Sequence, residues 1–138
     1  MEIDEDTEVE IQEIEEVVDE PQIFTIVEQF PSLPGCENIR DEQKRKECTE
    51  TEIMKFLGKN IKYPAMAKDA GISGIVYVNF EINQKGVVKD VKILRGIGGG
   101  CDEEAIRVVK KFPKFFPGKQ RGKPVRVSYN LPIRFTLR

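Results

Sequence analysis

The sequence predicts a small α+β domain, built as a three-stranded antiparallel sheet of order 2-1-3 with helices packed on one face. Three observations carry this. From Val125 to Arg138 the chain alternates without a break. Val125, Val127, Tyr129, Leu131, Ile133, Phe135 and Leu137 share one face; Arg126, Ser128, Asn130, Pro132, Arg134, Thr136 and Arg138 share the other. That is the period of a half-buried strand. The segment from Gly74 to Asn83 alternates in the same way, with Val76, Val78, Phe80 and Ile82 on one face, and Asn83-Gln84-Lys85-Gly86 turns it into a return strand from Val87 to Arg95. Between hairpin and last strand lies a helix whose Ala105, Ile106, Val109 and Phe112 share a face. A right-handed crossover through that helix lays the last strand beside the first strand of the hairpin. The last strand then lies on a sheet edge, which suits Pro132, because proline cannot donate to a ladder.

The chain divides into three stretches. Residues 1–22 are acidic and read as a disordered linker. Eleven acidic and no basic side chains fall within the first twenty residues, and the rest of the chain holds 22 basic against 13 acidic, a balance of +9. Residues 23–50 form an N-terminal arm. It opens with a short strand-like run, Ile23-Phe24-Thr25-Ile26-Val27, and continues into Phe30-Pro31-Ser32-Leu33-Pro34-Gly35, an extended segment that Phe30 and Leu33 are suited to pin. Residues 51–138 form the domain. Arg40 to Cys48 is highly charged and helix-compatible, and Thr49-Glu50-Thr51-Glu52 then fits a capping box, with Thr49 as the cap of a first helix carrying Ile53, Phe56 and Leu57. Pro64 opens a second short helix that closes at Gly71. Asp102 is placed to cap the third, which runs to Lys111 and stops at Pro113.

Composition narrows the chemistry. There is no histidine, so the commonest general base and metal ligand is missing. The loop Gly96 to Gly100 has the strand-loop-helix context of a phosphate turn, but Cys101 stands where the dinucleotide pattern needs glycine, and Asp102, Glu103 and Glu104 would repel an anion. Those carboxylates are explained by the helix macrodipole alone. No nucleophile, base and orienting group can be assembled, so the sequence reads as non-enzymatic, with no cofactor and no metal. The ten Lys and Arg after Glu104 raise the question of nucleic acid. A solvated basic face is the commoner meaning, since Tyr129 belongs to the apolar face of its strand and Phe115-Phe116-Pro117 makes a packing corner. Three cysteines allow at most one internal disulfide. Cys36 and Cys48 flank the charged segment before the first helix. A bridge between them would tie the arm to that helix in an oxidising compartment, and the sequence leaves open whether it forms. No apolar run is long enough to span a bilayer, and no signal peptide is visible.

An ordered set of motifs resembles the TonB C-terminal domain family. It comprises Tyr63-Pro64-Ala65-Met66-Ala67, Gly71, Gly74 to Phe80, Lys85 to Leu94, the helix from Asp102 to Val109, Phe115-Phe116-Pro117-Gly118-Lys119, and Leu131 to Leu137. The resemblance covers about residues 53–138, and Phe30 to Cys48 is similar to the cysteine-bearing lead-in of one branch of the family. It implies an energy transducer for nutrient uptake, such as siderophore uptake. Such a protein is anchored in the inner membrane by an N-terminal helix absent from this stretch, is driven by an ExbB/ExbD-type motor, and reaches through the periplasm. Its C-terminal domain grips the TonB box of outer-membrane TonB-dependent transporters as a strand added to its own last strand. Carried over residue by residue, the partner-binding set is Tyr63, Pro64, Asn130, Pro132, Ile133, Arg134, Phe135, Thr136 and Leu137. Pro132 departs from some members and restricts the register of the bound peptide. The alternatives are a sensor or scaffold domain of the same fold fused to another membrane protein, such as a peptidase receptor, or a nucleic-acid binder. An open edge also permits a homodimer.

Overall fold

The computed structural model describes residues 22–137. The acidic leader, apart from Gln22, lies outside the described residues, as does Arg138. Along the chain come β1 (Ile23–Phe24), α1 (Glu42–Asn60), α2 (Ala65–Ala70), β2 (Gly74–Ile82), β3 (Val88–Arg95), α3 (Cys101–Val109), β4 (Lys119–Gln120), β5 (Lys123–Pro124) and β6 (Arg126–Phe135).

The main sheet has the order β1-β6-β2-β3. Strands β3, β2 and β6 are antiparallel, with the last strand beside the first of the hairpin. The expected sheet of three antiparallel strands is nevertheless corrected, because the sheet has four strands and is mixed. Strand β1 runs parallel to β6, with Ile23 opposite Arg126 and Phe24 opposite Val127. A two-residue strand has no periodicity, and nothing local in a sequence names a partner a hundred positions away. From Gly74–Phe135 to Ile82–Val127 the β2–β6 ladder runs without a register shift. It places Val76 against Ile133, Val78 against Leu131 and Phe80 against Tyr129. These inward side chains meet Ile53 and Leu57 of α1 and Ala105, Val108 and Val109 of α3 in one core. Each large aliphatic buried there contributes about 1.5–3 kcal/mol.

Helix α1 begins earlier than its capping signal suggests. Asp41 is the cap, its carboxylate accepting from the Lys44 N–H at 2.9 Å. Thr49 is not a cap. It sits mid-helix, 2% exposed, and its hydroxyl accepts from the Leu33 N–H at 3.3 Å. The capping-box pattern is only local, whereas this threonine belongs to a buried stripe, Arg45, Thr49, Ile53 and Leu57, repeating every four residues. The helix runs unbroken through residues 50 and 51, where the sequence places the boundary between arm and domain.

Helix α2 closes at Gly71, whose φ of 70° is the left-handed conformation of a C-terminal cap. Asp102 does not cap α3, which starts one residue earlier, after Gly100. Its carboxylate instead accepts from the N–H groups of Ile97 at 2.9 Å and Gly98 at 3.4 Å, closing the glycine loop on the helix start. The helix ends at Val109 rather than Lys111. Phe112 follows, packed edge-on against Phe56, Phe80 and Phe115 at 5.1, 6.0 and 6.1 Å.

The arm is bound at several points. Ser32 exchanges backbone hydrogen bonds with Phe116 at 3.0 and 2.7 Å, and Gln29 with Lys119 at 3.1 and 2.8 Å. Leu33 is buried in the core, while Phe30 stays half-buried beneath the Lys46 ammonium, 4.5 Å from its ring. Cys36 and Cys48 are disulfide-bonded, with Cα atoms 5.8 Å apart. Strands β4 and β5 form a hairpin about Arg121 and Gly122, both at positive φ, 54° and 77°.

Candidate functional site

Proline at position 132 determines how β6 presents its outer edge. Pro132 lies opposite Tyr77 in an unshifted ladder. It has no N–H to give, so the bonds to β2 on either side run through its neighbours Leu131 and Ile133, and the Pro132 backbone faces outward. Backbone direction alternates along a strand, so Asn130 and Arg134 face outward as well. Strand β1 covers the edge only at Arg126 and Val127. Beyond that point no strand among the described residues pairs with it. The edge therefore offers the N–H groups of Asn130 and Arg134 and the carbonyls of Asn130, Pro132 and Arg134. The missing donor falls at its centre.

Helix α1 forms a wall beside this edge. Lys46, Glu50 and Met54 lie at four-residue spacing, next to the buried stripe. A cavity of about 300 Å³ separates Glu50, Ile53 and Met54 from Tyr129, Leu131 and Pro132. A second, of about 280 Å³, lies toward the arm between Thr25, Phe30, Lys46 and Ser128. Glu50, Tyr129 and Asn130 line both, so the two make one groove along β6. Met54 is 59% exposed on its rim. The Tyr129 ring stacks on Phe80 at 5.3 Å. Burial, reinforced by the Glu50 carboxylate, pushes its phenol up to about 12.

Tyr63 and Pro64 stand at the C-terminal end of the same strand. The chain leaving α1 is fixed there by Glu104 of α3. Its carboxylate accepts from the Lys62 N–H at 2.7 Å and from the Arg107 guanidinium at 2.6 and 2.8 Å, while Arg107 also donates to the Asn60 carbonyl at 2.9 Å. The Arg107 contact, aided by Lys62 and opposed by burial, holds the Glu104 carboxyl below the usual range. Tyr63 is thereby held edge-on to Phe135 at 5.7 Å and donates its hydroxyl to the Ile72 carbonyl. Pro64 faces the glycine loop at Gly100.

The residues marked by the resemblance fall into three groups. Asn130, Pro132 and Arg134 are exposed and face the open edge. On the sheet's outer face, the Asn130 side chain accepts from Asn79 at 2.7 Å. Ile133 and Phe135 are buried, 2% and 3% exposed, and serve the core. Thr136 and Leu137 are exposed beyond the end of β6. Sequence reasoning passed over Lys46, Glu50, Met54 and Ser128. The four-residue spacing of the first three is a usable signal, but a helix started at Thr49 leaves Lys46 outside it.

Elsewhere the chemistry is quiet. Among the described residues no group of three His, Cys, Asp or Glu is placed to hold a metal ion. No helix of the described residues is long and apolar enough to cross a membrane. Cys101 is a buried free thiol, and burial with Asp102 and Glu103 raises its pKa.

Together these features define a small α+β domain in which the outer edge of β6 lies open beside a helix among the described residues. The chain belongs to the family of Gram-negative bacterial TonB protein C-terminal domains, whose model matches residues 59–137. It is a TonB-like periplasmic domain, of a family whose C-terminal domains are non-enzymatic and transport-related. Among solved structures, the solution structure of the Helicobacter pylori TonB C-terminal domain is similar, with 26% identity and a TM-score of 0.48 over 63% of this chain and 91% of that one. No curated protein matches the chain.

Proposed function

We propose that this chain is the periplasmic domain of an energy transducer that binds the TonB box of outer-membrane TonB-dependent transporters by strand addition to β6. The single observation that carries the reading is the outer edge of β6 from Ser128 onward, which has no partner strand among the described residues. An extended peptide laid there would gain four or five backbone bonds, each about 0.5–1.5 kcal/mol net. That is modest affinity, suited to repeated engagement and release under force. The driving energy would come from an ExbB/ExbD-type motor through an inner-membrane helix outside this sequence. Arg134, exposed on the outer face, would favour an acidic flank on the peptide.

The test is a titration of isotope-labelled protein with TonB-box peptides. Amide shifts concentrated at Asn130 and Arg134 and around Tyr63 are the expected result. Saturating peptide with no shift along β6 would sink the reading.

A further inference from the structure

We propose that the groove between α1 and β6 reads side chains of the bound strand, and that its apolar end selects a strand carrying an aliphatic residue there. This rests on strand addition at β6 and adds to it a determinant of which strand is accepted. Backbone pairing alone is indifferent to sequence. An added strand, however, turns every second side chain toward α1.

Two such side chains, two residues apart, are about 7 Å apart. The two parts of the groove follow one another along β6 in the same sense. One part, at Leu131 and Pro132, is closed by Ile53 and the exposed Met54 and is mostly apolar, with Glu50 and Asn130 on the border it shares with the other part. The other, at Ser128, lies under Lys46 and Glu50 and is polar. The bound strand therefore places an aliphatic side chain against Met54 and a polar one, two residues away, beside Lys46 and Glu50. The apolar subsite lies beside Pro132, where the edge lacks a donor. Side-chain burial there offsets the missing backbone bond and fixes the register that the proline leaves loose. The wall is supplied by α1 residues 46 to 54, which lie upstream of the residues 59–137 that match the family model.

The experiment uses the protein labelled at its methionine methyl groups and a TonB-box peptide, with each peptide residue changed in turn to Asp. Met54→Lys removes the subsite from a solvent-exposed position. Met66→Lys, at the 68% exposed Met66 on α2, is the control, and Met54→Leu tests rescue. The expected result is a shift of the Met54 methyl on binding, and one peptide position whose change to Asp weakens binding about tenfold or more, as loss of one buried aliphatic group would. That penalty should vanish in Met54→Lys, persist in Met66→Lys and return in Met54→Leu. If wild type and Met54→Lys bind every peptide alike, with the same β6 amide shifts, the subsite is overturned and strand addition stands. If no peptide shifts the β6 amides, strand addition fails and the subsite with it. Concentration-dependent Met54 shifts without peptide, alongside dimer in sedimentation, would assign the groove to a second copy and overturn the proposal.

Discussion

The ring of Tyr63 meets that of Phe135 edge-on at 5.7 Å, and its hydroxyl donates to the Ile72 carbonyl. One half-buried residue thus ties the segment after α1 both to the end of β6 and to the entry of β2. Tyr63→Phe removes only the hydrogen bond and should cost about 1 kcal/mol. Tyr63→Ala also removes the ring and should cost about 2–3 kcal/mol, discounted from a full core truncation because the site is partly open. Urea denaturation of the two variants checks this. Amide exchange at Phe135 should quicken in Tyr63→Ala; a stability within about 0.5 kcal/mol of wild type would mean that the ring does not anchor the strand.

The alternation in β2 and β6 was legible because each strand buries one face, and a period of two survives in the letters. The turn at Gly86 and the cap at Gly71 were legible because positive φ restricts the residue type. What was hidden depends on distant partners. Thr49 matches a capping box locally, yet its hydroxyl serves Leu33. Asp102 stands where a cap belongs, yet it holds Ile97 and Gly98. The strand-like run at Ile23-Phe24 was legible as a strand, but its parallel pairing with β6 was not. The open edge of the candidate site followed from topology and Pro132, but its wall of Lys46, Glu50 and Met54 appeared only once α1 was seen to run unbroken from Glu42 through Thr49.

The Cys36–Cys48 bond closes a loop with a sequence separation of 12. Closing a loop of that length in the unfolded chain is worth about 3 kcal/mol. Replacing both cysteines by serine should lower stability by about 2–3 kcal/mol in urea, and dithiothreitol should lower the wild type to match while leaving the double variant unchanged. The arm should also become sensitive to protease near Pro34. A reduced wild type as stable as the oxidised one would show that the arm's backbone bonds suffice.

Glu81 pairs with Arg126 across the β2–β6 ladder, through two contacts of 2.8 and 2.9 Å. The Arg126 contact holds the Glu81 carboxyl below its ordinary value near 4.5, against the opposing effect of burial. A folded-state pKa below the unfolded one means that the stabilisation is fully present above about pH 4.5 and is lost as pH falls through the lower folded value. Glu81→Gln should therefore be less stable than wild type at pH 7, and the gap should shrink toward pH 3. An unchanged gap across that range would refute the linkage.

Tyr129 carries the opposite sign. Its phenol is pushed up to about 12 from 10.0, so the folded state keeps a proton that the unfolded chain gives up. That contribution is present below pH 10 and is lost as pH rises toward 12. Burial also raises the Tyr63 phenol, so ultraviolet titration should show the Tyr129 step as the one near 12, and Glu50→Gln should bring that step to lower pH. A step near 12 that survives Tyr129→Phe would assign it to another tyrosine.

Pro132 gives the sharpest test of the open edge. Its backbone faces outward opposite Tyr77, and its missing N–H interrupts the donors between Asn130 and Arg134. Pro132→Ala restores that donor without touching β2, because the outward parity spares the existing ladder. One added backbone bond at about 1 kcal/mol should tighten a TonB-box peptide roughly fivefold. The same donor also completes a flat edge that proline had kept from pairing with copies of itself, so dimerisation should rise with concentration in sedimentation. Both effects should appear together, with fold stability changed by less than about 1 kcal/mol. If Pro132→Ala instead stabilises the monomer and leaves peptide affinity and dimerisation unmoved, the residue 132 backbone does not face an open edge, and strand addition at this position fails with it.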